Sequence, residues 1–104
     1  MREICLARLD KTRPVLVLTR EATRGTMTKV TVAPITSTVK GLASELPVGP
    51  GNGLEHPCAV SLDNVLTIRS ELLGRTIGFL HDREEPALAR AIVMAYDLDV
   101  PVPR

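Results

Sequence analysis

The stretch Arg13-Pro14-Val15-Leu16-Val17-Leu18-Thr19, RPVLVLT, sets a guanidinium against a proline and then four apolar residues in a row. A run so rich in valine and leucine predicts, over Pro14–Thr19, a central strand buried on both faces. Pro14 at the first position of that strand is tolerated, because the N–H it lacks is not needed there. A fixed charge at the mouth of a buried strand is the feature that the rest of the chain has to explain.

Working outward, EICLARL (Glu3–Leu9) reads as a first strand, joined to the second by the short connection DKT. On the other side, REATRGTM reads as a polar loop turning at Gly25. TKVTVAPIT (Thr28–Thr36) follows as a third strand, in which Val30 and Val32 alternate with Lys29 and Thr31 and Pro34 predicts a bulge or bend. SELPV (Ser44–Val48) predicts a short strand, and GPGNGLEHP (Gly49–Pro57) an exposed loop. CAVSLDNVLTI (Cys58–Ile68) holds one or two strands, RSELLG (Arg69–Gly74) a helical turn, and RTIGFL (Arg75–Leu80) a last strand.

From about Arg83 to about Asp97 the period changes: Leu88, Ala91, Ile92, Ala95 and Tyr96 fall at helical spacing. Asp82 with Glu85 three residues later resembles a capping box, and Glu84 and Glu85 suit a helix N-terminus electrostatically. DVPVPR then reads as an extended tail. Five to seven short strands followed by one helix predict a small, twisted, partly closed sheet covered by that helix. The 104 residues suit a single domain, 1–104. A sheet this small leaves edges and apolar patches to cover, and dimerisation is a natural way to cover them.

Composition removes several function classes. No apolar run approaches the ~20 residues of a membrane span, and MREICLARLD lacks the apolar stretch of a secretory signal. The expected compartment is therefore the reducing cytoplasm. Cys5 and Cys58 show no C-x-x-C spacing and read as small buried hydrophobes. His56 and His81 fit no metal-ligand spacing and read as surface histidines. The glycines of Gly49–Gly53 are not followed by G-K-[ST], and no serine lies in G-x-S-x-G. No metal and no cofactor are expected.

Net charge is +1, but residues 1–40 hold eight bases against three acids (+5) and residues 41–104 hold five against nine (−4). Such asymmetry marks a candidate polyanion-binding face. Phe79 and Tyr96 are the only aromatic residues, too few for a base-stacking platform. Nucleic acid would have to be held through phosphates, backbone and arginine planes. The chemistry-bearing candidates are then Arg13 at the start of the central strand and Thr36 at the end of the next. Neighbouring strands would let a guanidinium and a hydroxyl converge. Read without further context, the same residues also fit a surface ion pair and a turn-capping hydroxyl.

The ordered set LDKTRPVLVLT, VTVAPIT, CAVSLDNVLTI and a terminal amphipathic helix ending AYDL resembles the MazF/PemK family of toxin endoribonucleases across nearly the whole chain. The resemblance implies an α+β, mainly β fold: an SH3-like, partly closed barrel of the PemK/CcdB type, assembled as a homodimer. It implies metal-independent cleavage of single-stranded RNA at short sequence motifs, leaving 2′,3′-cyclic phosphate and 5′-hydroxyl ends, and restraint by a cognate antitoxin. The family's active-site arginine and threonine correspond to Arg13 and Thr36, and Asp63-Asn64 stands where relatives often carry Glu-Gln.

For that chemistry, Arg13 would clamp a phosphate and Thr36 would donate to it. Arg8, Lys11, Arg20, Arg24, Lys29 and Lys40 are the candidate guides of the RNA backbone. Two features depart from the family pattern. The connection Asp10–Thr12 is shorter than the usual loop, and Cys5 and Leu6 stand where relatives carry an aromatic residue. Two alternatives stay open on sequence: a non-catalytic CcdB-like toxin that inhibits a topoisomerase by protein binding, and a degenerate relative that binds RNA or antitoxin without cutting.

Overall fold

The structure, a computed structural model, describes residues 1–100. Seven strands and two helices follow in the order β1 (Arg2–Arg8), β2 (Thr12–Val17), α1 (Glu21–Arg24), β3 (Lys29–Thr36), β4 (Glu45–Val48), β5 (Cys58–Ser61), β6 (Leu66–Arg69), β7 (Leu73–Leu80) and α2 (Glu85–Tyr96). All pairings are antiparallel, in the spatial order β4-β5-β3-β2-β1-β7, with β6 against β3. The result is the mainly β, curled half-barrel with a C-terminal helix that the order of strands predicts.

The central-strand reading of RPVLVLT holds because β2 is buried on both faces. Leu16 points into a core with Ile4, Ala33, Val60 and Leu62, on which Leu88 and Ala91 of α2 pack. Val15 and Val17 point the other way, among Cys5, Ala7, Val30, Val32 and Ile68. Period-two alternation thus feeds two apolar clusters from one strand. Both cysteines are free and buried, as small hydrophobes should be.

The bend expected at Pro34 is where β3 changes partners. Lys29–Val32 pair with β6, and Ile35–Thr36 pair with β5. Pro34 falls between the two ladders, where its missing N–H removes no bond on that edge.

Other details differ from the sequence reading. Residues 21–24 form the short helix α1 rather than loop, fixed by the Arg24–Glu3 ion pair. Helix α2 begins at Glu85, after a 3₁₀ turn over Asp82–Glu84. The reciprocal box uses Glu84, whose Oε1 accepts the His81 N–H at 2.9 Å, and not the Asp82–Glu85 pair. Glu85 instead takes two bonds from Arg2, at 2.9 and 3.0 Å, and Asp82 pairs with the terminal amine at 3.0 Å. Tyr96 is exposed although its spacing assigns it to the core face, because the helix ends there on left-handed Asp97. The tail expected from Asp99 onward lies largely outside the described residues.

The glycine-rich segment 49–57 is not a free loop. A 3₁₀ turn over Pro50–Asn52 folds back on β7, and Asn52 and Leu54 are buried. Asn52 Oδ1 accepts the Gly49 N–H at 3.0 Å, and its Nδ2 donates to Phe79 O at 3.1 Å and Glu84 Oε1 at 2.9 Å. His81 Nε2 lies 2.8 Å from Gly51 O. Gly53, at φ 91°, and Gly78 bring the two backbones together with no room for a Cβ on either side.

Candidate active site

Two prolines stand at the end of the β2–β3 ladder, where the candidate residues sit. The β2–β3 ladder begins only at Val15, opposite Pro34. Arg13 and Pro14 on one strand, and Ile35 and Thr36 on the other, lie beyond its end. Carried two residues further, the same register sets Arg13 against Thr36. No ladder pair forms between them, and both residues line the depressions at this end of the sheet.

Two depressions meet there. One, of about 830 Å³, has buried or half-buried Leu6, Pro14, Ile35, Leu54 and Ile77 beneath exposed Lys11, His56 and Arg75. The other, of about 620 Å³, has half-buried Leu9, Pro34 and Leu66 beneath exposed Asp10, Lys40, Asp63 and Asn64. Arg13, Thr36 and Thr38 line both, so the candidate pair forms the wall between them.

Arg13 is held from one side. Its Nε donates to Asp10 Oδ1 at 2.9 Å and its Nη2 to Asp10 Oδ2 at 3.0 Å, a bidentate fork to the three-residue hairpin turn between β1 and β2. Hydrogen bonding to Arg13 lowers the Asp10 carboxyl to about 2, and the same bond raises the Arg13 pKa further above its ordinary value. A guanidinium whose charge is reinforced in this way suits charge stabilisation and not proton abstraction. Its Nη1 edge remains for a ligand. Thr36 Oγ1 accepts the Thr38 N–H at 3.0 Å, so its own proton is free to be donated. The surface ion pair and the turn-capping hydroxyl are therefore both present, and each orients the remaining donor of its residue.

Of the residues expected to guide a polyanion, Lys11 and Lys40 line the depressions. Arg8 is exposed on β1 outside both. Arg20 and Arg24 line a separate cleft beside Met1 and Glu85, where Arg24 is paired with Glu3. Lys29 lies with Arg69 elsewhere on the surface. The structure adds Arg75 and His56, which sequence reasoning did not place. His56 arrives on the 49–57 segment pinned to β7, its Nδ1 3.5 Å from Cys58 Sγ. Nothing in the local sequence announces that folding back, apart from Gly53 and Gly78, whose pairing shows only in three dimensions. Among the described residues, no group of three or more His, Cys, Asp or Glu side chains could hold a metal ion.

The family of PemK-like, MazF-like toxins of type II toxin–antitoxin systems matches residues 3–95. The chain is 60% identical over 99 residues to Endoribonuclease MazF3 of Mycobacterium tuberculosis, covering 95% of this chain and 96% of that one. It is 37% identical over 86 residues to Probable endoribonuclease MazF5 of the same species, covering 82% of this chain and 79% of that one. The solved structure of Mycobacterium tuberculosis toxin MazF-mt6 superposes with a TM-score of 0.93 at 58% identity, over 95% of this chain and all (100%) of that one. A mycobacterial endoribonuclease in complex with its cognate antitoxin shares the fold, with a TM-score of 0.83 at 21% identity, over 95% of each chain. The matched span takes in the β1–β2 hairpin, β3 and the closing helix as far as Ala95, and the chain belongs to the PemK-like, MazF-like toxins of type II toxin–antitoxin systems.

Proposed function

We propose that this chain is the toxin of a toxin–antitoxin pair and an endoribonuclease that cleaves single-stranded RNA without a metal, with Arg13 and Thr36 at the scissile phosphate. The observation that carries the reading is that these two side chains line the same two depressions at the end of the β2–β3 ladder, each with a donor that its own internal bond leaves unused. RNA brings its own nucleophile. The 2′-oxygen bonds to the adjacent phosphorus, the bond from phosphorus to the 5′-oxygen breaks, and one proton leaves the 2′-hydroxyl while another reaches the departing oxygen. The products are a 2′,3′-cyclic phosphate and a 5′-hydroxyl. Arg13 stabilises the charge that grows on the phosphoryl oxygens, and Thr36 adds a neutral hydrogen bond. Lys11 and Arg75 hold the flanking phosphates.

The relatives named as endoribonucleases support the activity, and the structure of one such enzyme with its cognate antitoxin supports an antitoxin as partner. The domain acts as one unit over residues 1–104, as a homodimer, in the cytoplasm. No described helix is long and apolar enough to cross a membrane. The test is incubation of the purified protein with end-labelled RNA in EDTA. Discrete fragments ending in cyclic phosphate are expected. Intact RNA together with inhibited gyrase would replace the nuclease reading by that of a topoisomerase-binding toxin.

A further inference from the structure

The two depressions beside Arg13 differ in charge. The larger carries Lys11, Arg13 and Arg75 against Glu55, a balance of +2. The smaller carries Arg13 and Lys40 against Asp10, Glu45 and Asp63, a balance of −1. A phosphate is therefore drawn to the larger, and cleavage has to be completed from that side. It needs one group that Arg13 and Thr36 do not supply. Breaking the bond from phosphorus to the 5′-oxygen leaves charge on an alkoxide, a poor leaving group until it gains a proton.

The side chains around the larger depression narrow the choice of donor. Ammonium and guanidinium groups hold their protons too firmly at neutral pH, which sets aside Lys11, Arg75 and, with its pKa raised further by Asp10, Arg13. A carboxylate such as Glu55 has already given its proton up. Alcohol hydroxyls are too weakly acidic. Cys58 is buried, and its thiol donates to His56 O at 3.4 Å. His56 remains: exposed, and of the one side-chain type that ordinarily both gives and takes a proton near neutral pH.

His56 is also held in place. Three residues before it, Gly53 packs on Gly78 of β7 with no room for a Cβ. Three residues after it, Ala59 pairs with Thr36 in the β3–β5 ladder. Three residues span at most ~10 Å when fully extended, so the ladder ties His56 to the neighbourhood of the candidate pair. Its Nδ1 lies 3.3 Å from Pro57 O, which can only accept, and this contact sets a proton on Nδ1. Among the described residues no group bonds Nε2, the nitrogen left for a substrate.

We propose that His56 is a catalytic residue of the cleavage reaction, the general acid whose Nε2–H protonates the departing 5′-oxygen. The 2′-oxygen bonds to phosphorus as its proton passes to solvent. The bond from phosphorus to the 5′-oxygen breaks, and the imidazolium proton moves to that oxygen. The neutral imidazole then regains a proton from water. Arg13 and Thr36 act on the phosphoryl oxygens and His56 on the bridging one, so the roles do not overlap.

The inference rests on the endoribonuclease reading, and its test separates the two. Wild-type protein is first used to map its cut site in a mixed RNA pool. Single-turnover rates are then measured on a short RNA of that sequence, and on the same RNA with sulfur in place of the bridging 5′-oxygen at the cut. A thiolate leaves without being protonated. His56→Gln, which keeps a polar side chain but cannot pass a proton, should cut ordinary RNA about 10²-fold more slowly than wild type. On the sulfur-bridged RNA it should come within about 3-fold of wild type, a recovery that also shows the variant to be folded. Arg13→Ala should remain slow on both. Equal rates for His56→Gln and wild type on ordinary RNA, or a loss of the same size on both RNAs, overturns the assignment of His56 and leaves the nuclease standing. Failure of the wild-type protein to cut any RNA overturns both.

Discussion

At the scale of the residue, the site depends on how one arginine is held. Arg13 is bound along its Nε–Nη2 edge by Asp10, which leaves the other edge unused. Arg13→Ala should leave the fold intact, since the side chain lies on the rim, and lower RNA cleavage by at least ~10²-fold, as loss of a charged donor to a reacting oxyanion does. Thr36→Ala should cost less, about 10-fold, because a neutral hydroxyl is the weaker donor. Equal losses in a single-turnover assay would assign Thr36 a more direct part. The Asp10 carboxyl is held at about 2 by its bonds to Arg13. A group whose pKa is depressed on folding contributes stability above its unfolded value, and that contribution is lost as pH falls through the folded value. The fork should therefore persist at any neutral or mildly acidic pH and open only between about pH 4 and pH 2. A carbon-detected NMR titration should place the Asp10 midpoint at about 2 in the wild type and clearly higher in Arg13→Ala, though still below a free aspartate because the backbone hydrogen bond from Lys11 remains. An unmoved midpoint in the variant would show that the ion pair does not form in solution. The identities Arg13 and Thr36 were legible in the sequence. The clamp by Asp10 was not, because a carboxylate three residues away reaches the guanidinium only once the hairpin turn between β1 and β2 is closed.

Secondary-structure elements decide which walls the site has. RPVLVLT was readable as a doubly buried strand because continuous apolar runs have few other uses in a short chain. Its consequence for function was harder to read. Pro14 and Pro34 end the β2–β3 ladder from opposite strands, and that coincidence requires the register pairing Val15 with Pro34. The 49–57 segment shows the opposite case. Its glycines and prolines suggest an exposed loop by composition, yet Asn52 bonds into β7 and the entry of α2, and this carries His56 to the rim of the larger depression. Gly78→Ala tests the arrangement. A Cβ there would overlap Asn52 O, a backbone atom held by the turn. The variant should be destabilised by about 1–3 kcal/mol, as forced overpacking is. Hydrogen exchange should accelerate in residues 49–56 more than in β2. A variant as stable and as protected as the wild type would show that the segment is not anchored on β7.

Across the whole molecule, charge and apolar surface are distributed by the fold rather than by chain order. The basic first forty residues and the acidic remainder do not make two halves. Lys11 and Lys40 lie in different depressions, Arg24 is spent on Glu3, and Arg75 from the acidic portion joins the basic side. RNA affinity should fall linearly with salt on logarithmic axes, and Arg75→Ala should reduce that slope by about one unit. Filter binding at several salt concentrations measures it, and an unchanged slope would remove Arg75 from the RNA path. Val39, Leu42, Met94 and Tyr96 remain exposed on the single chain, in keeping with a dimer. Sedimentation velocity at micromolar concentration should give twice the 11.3 kDa chain mass. A monomer under those conditions would rule out the homodimer. The sequence by itself bounded the strand count at five to seven and determined the closing helix and the doubly buried β2, because apolar period acts over a few neighbouring positions, while Arg13 and Thr36 came forward as a candidate pair through the family resemblance. Only the tertiary structure decided that Asp10 clamps Arg13, that the β2–β3 ladder ends at Pro14 and Pro34, and that a basic and an acidic depression flank that point. The clamp needs the β1–β2 hairpin turn to close, the other two need groups distant in the chain to come together, and the strand register that does both is a property of the whole packed sheet.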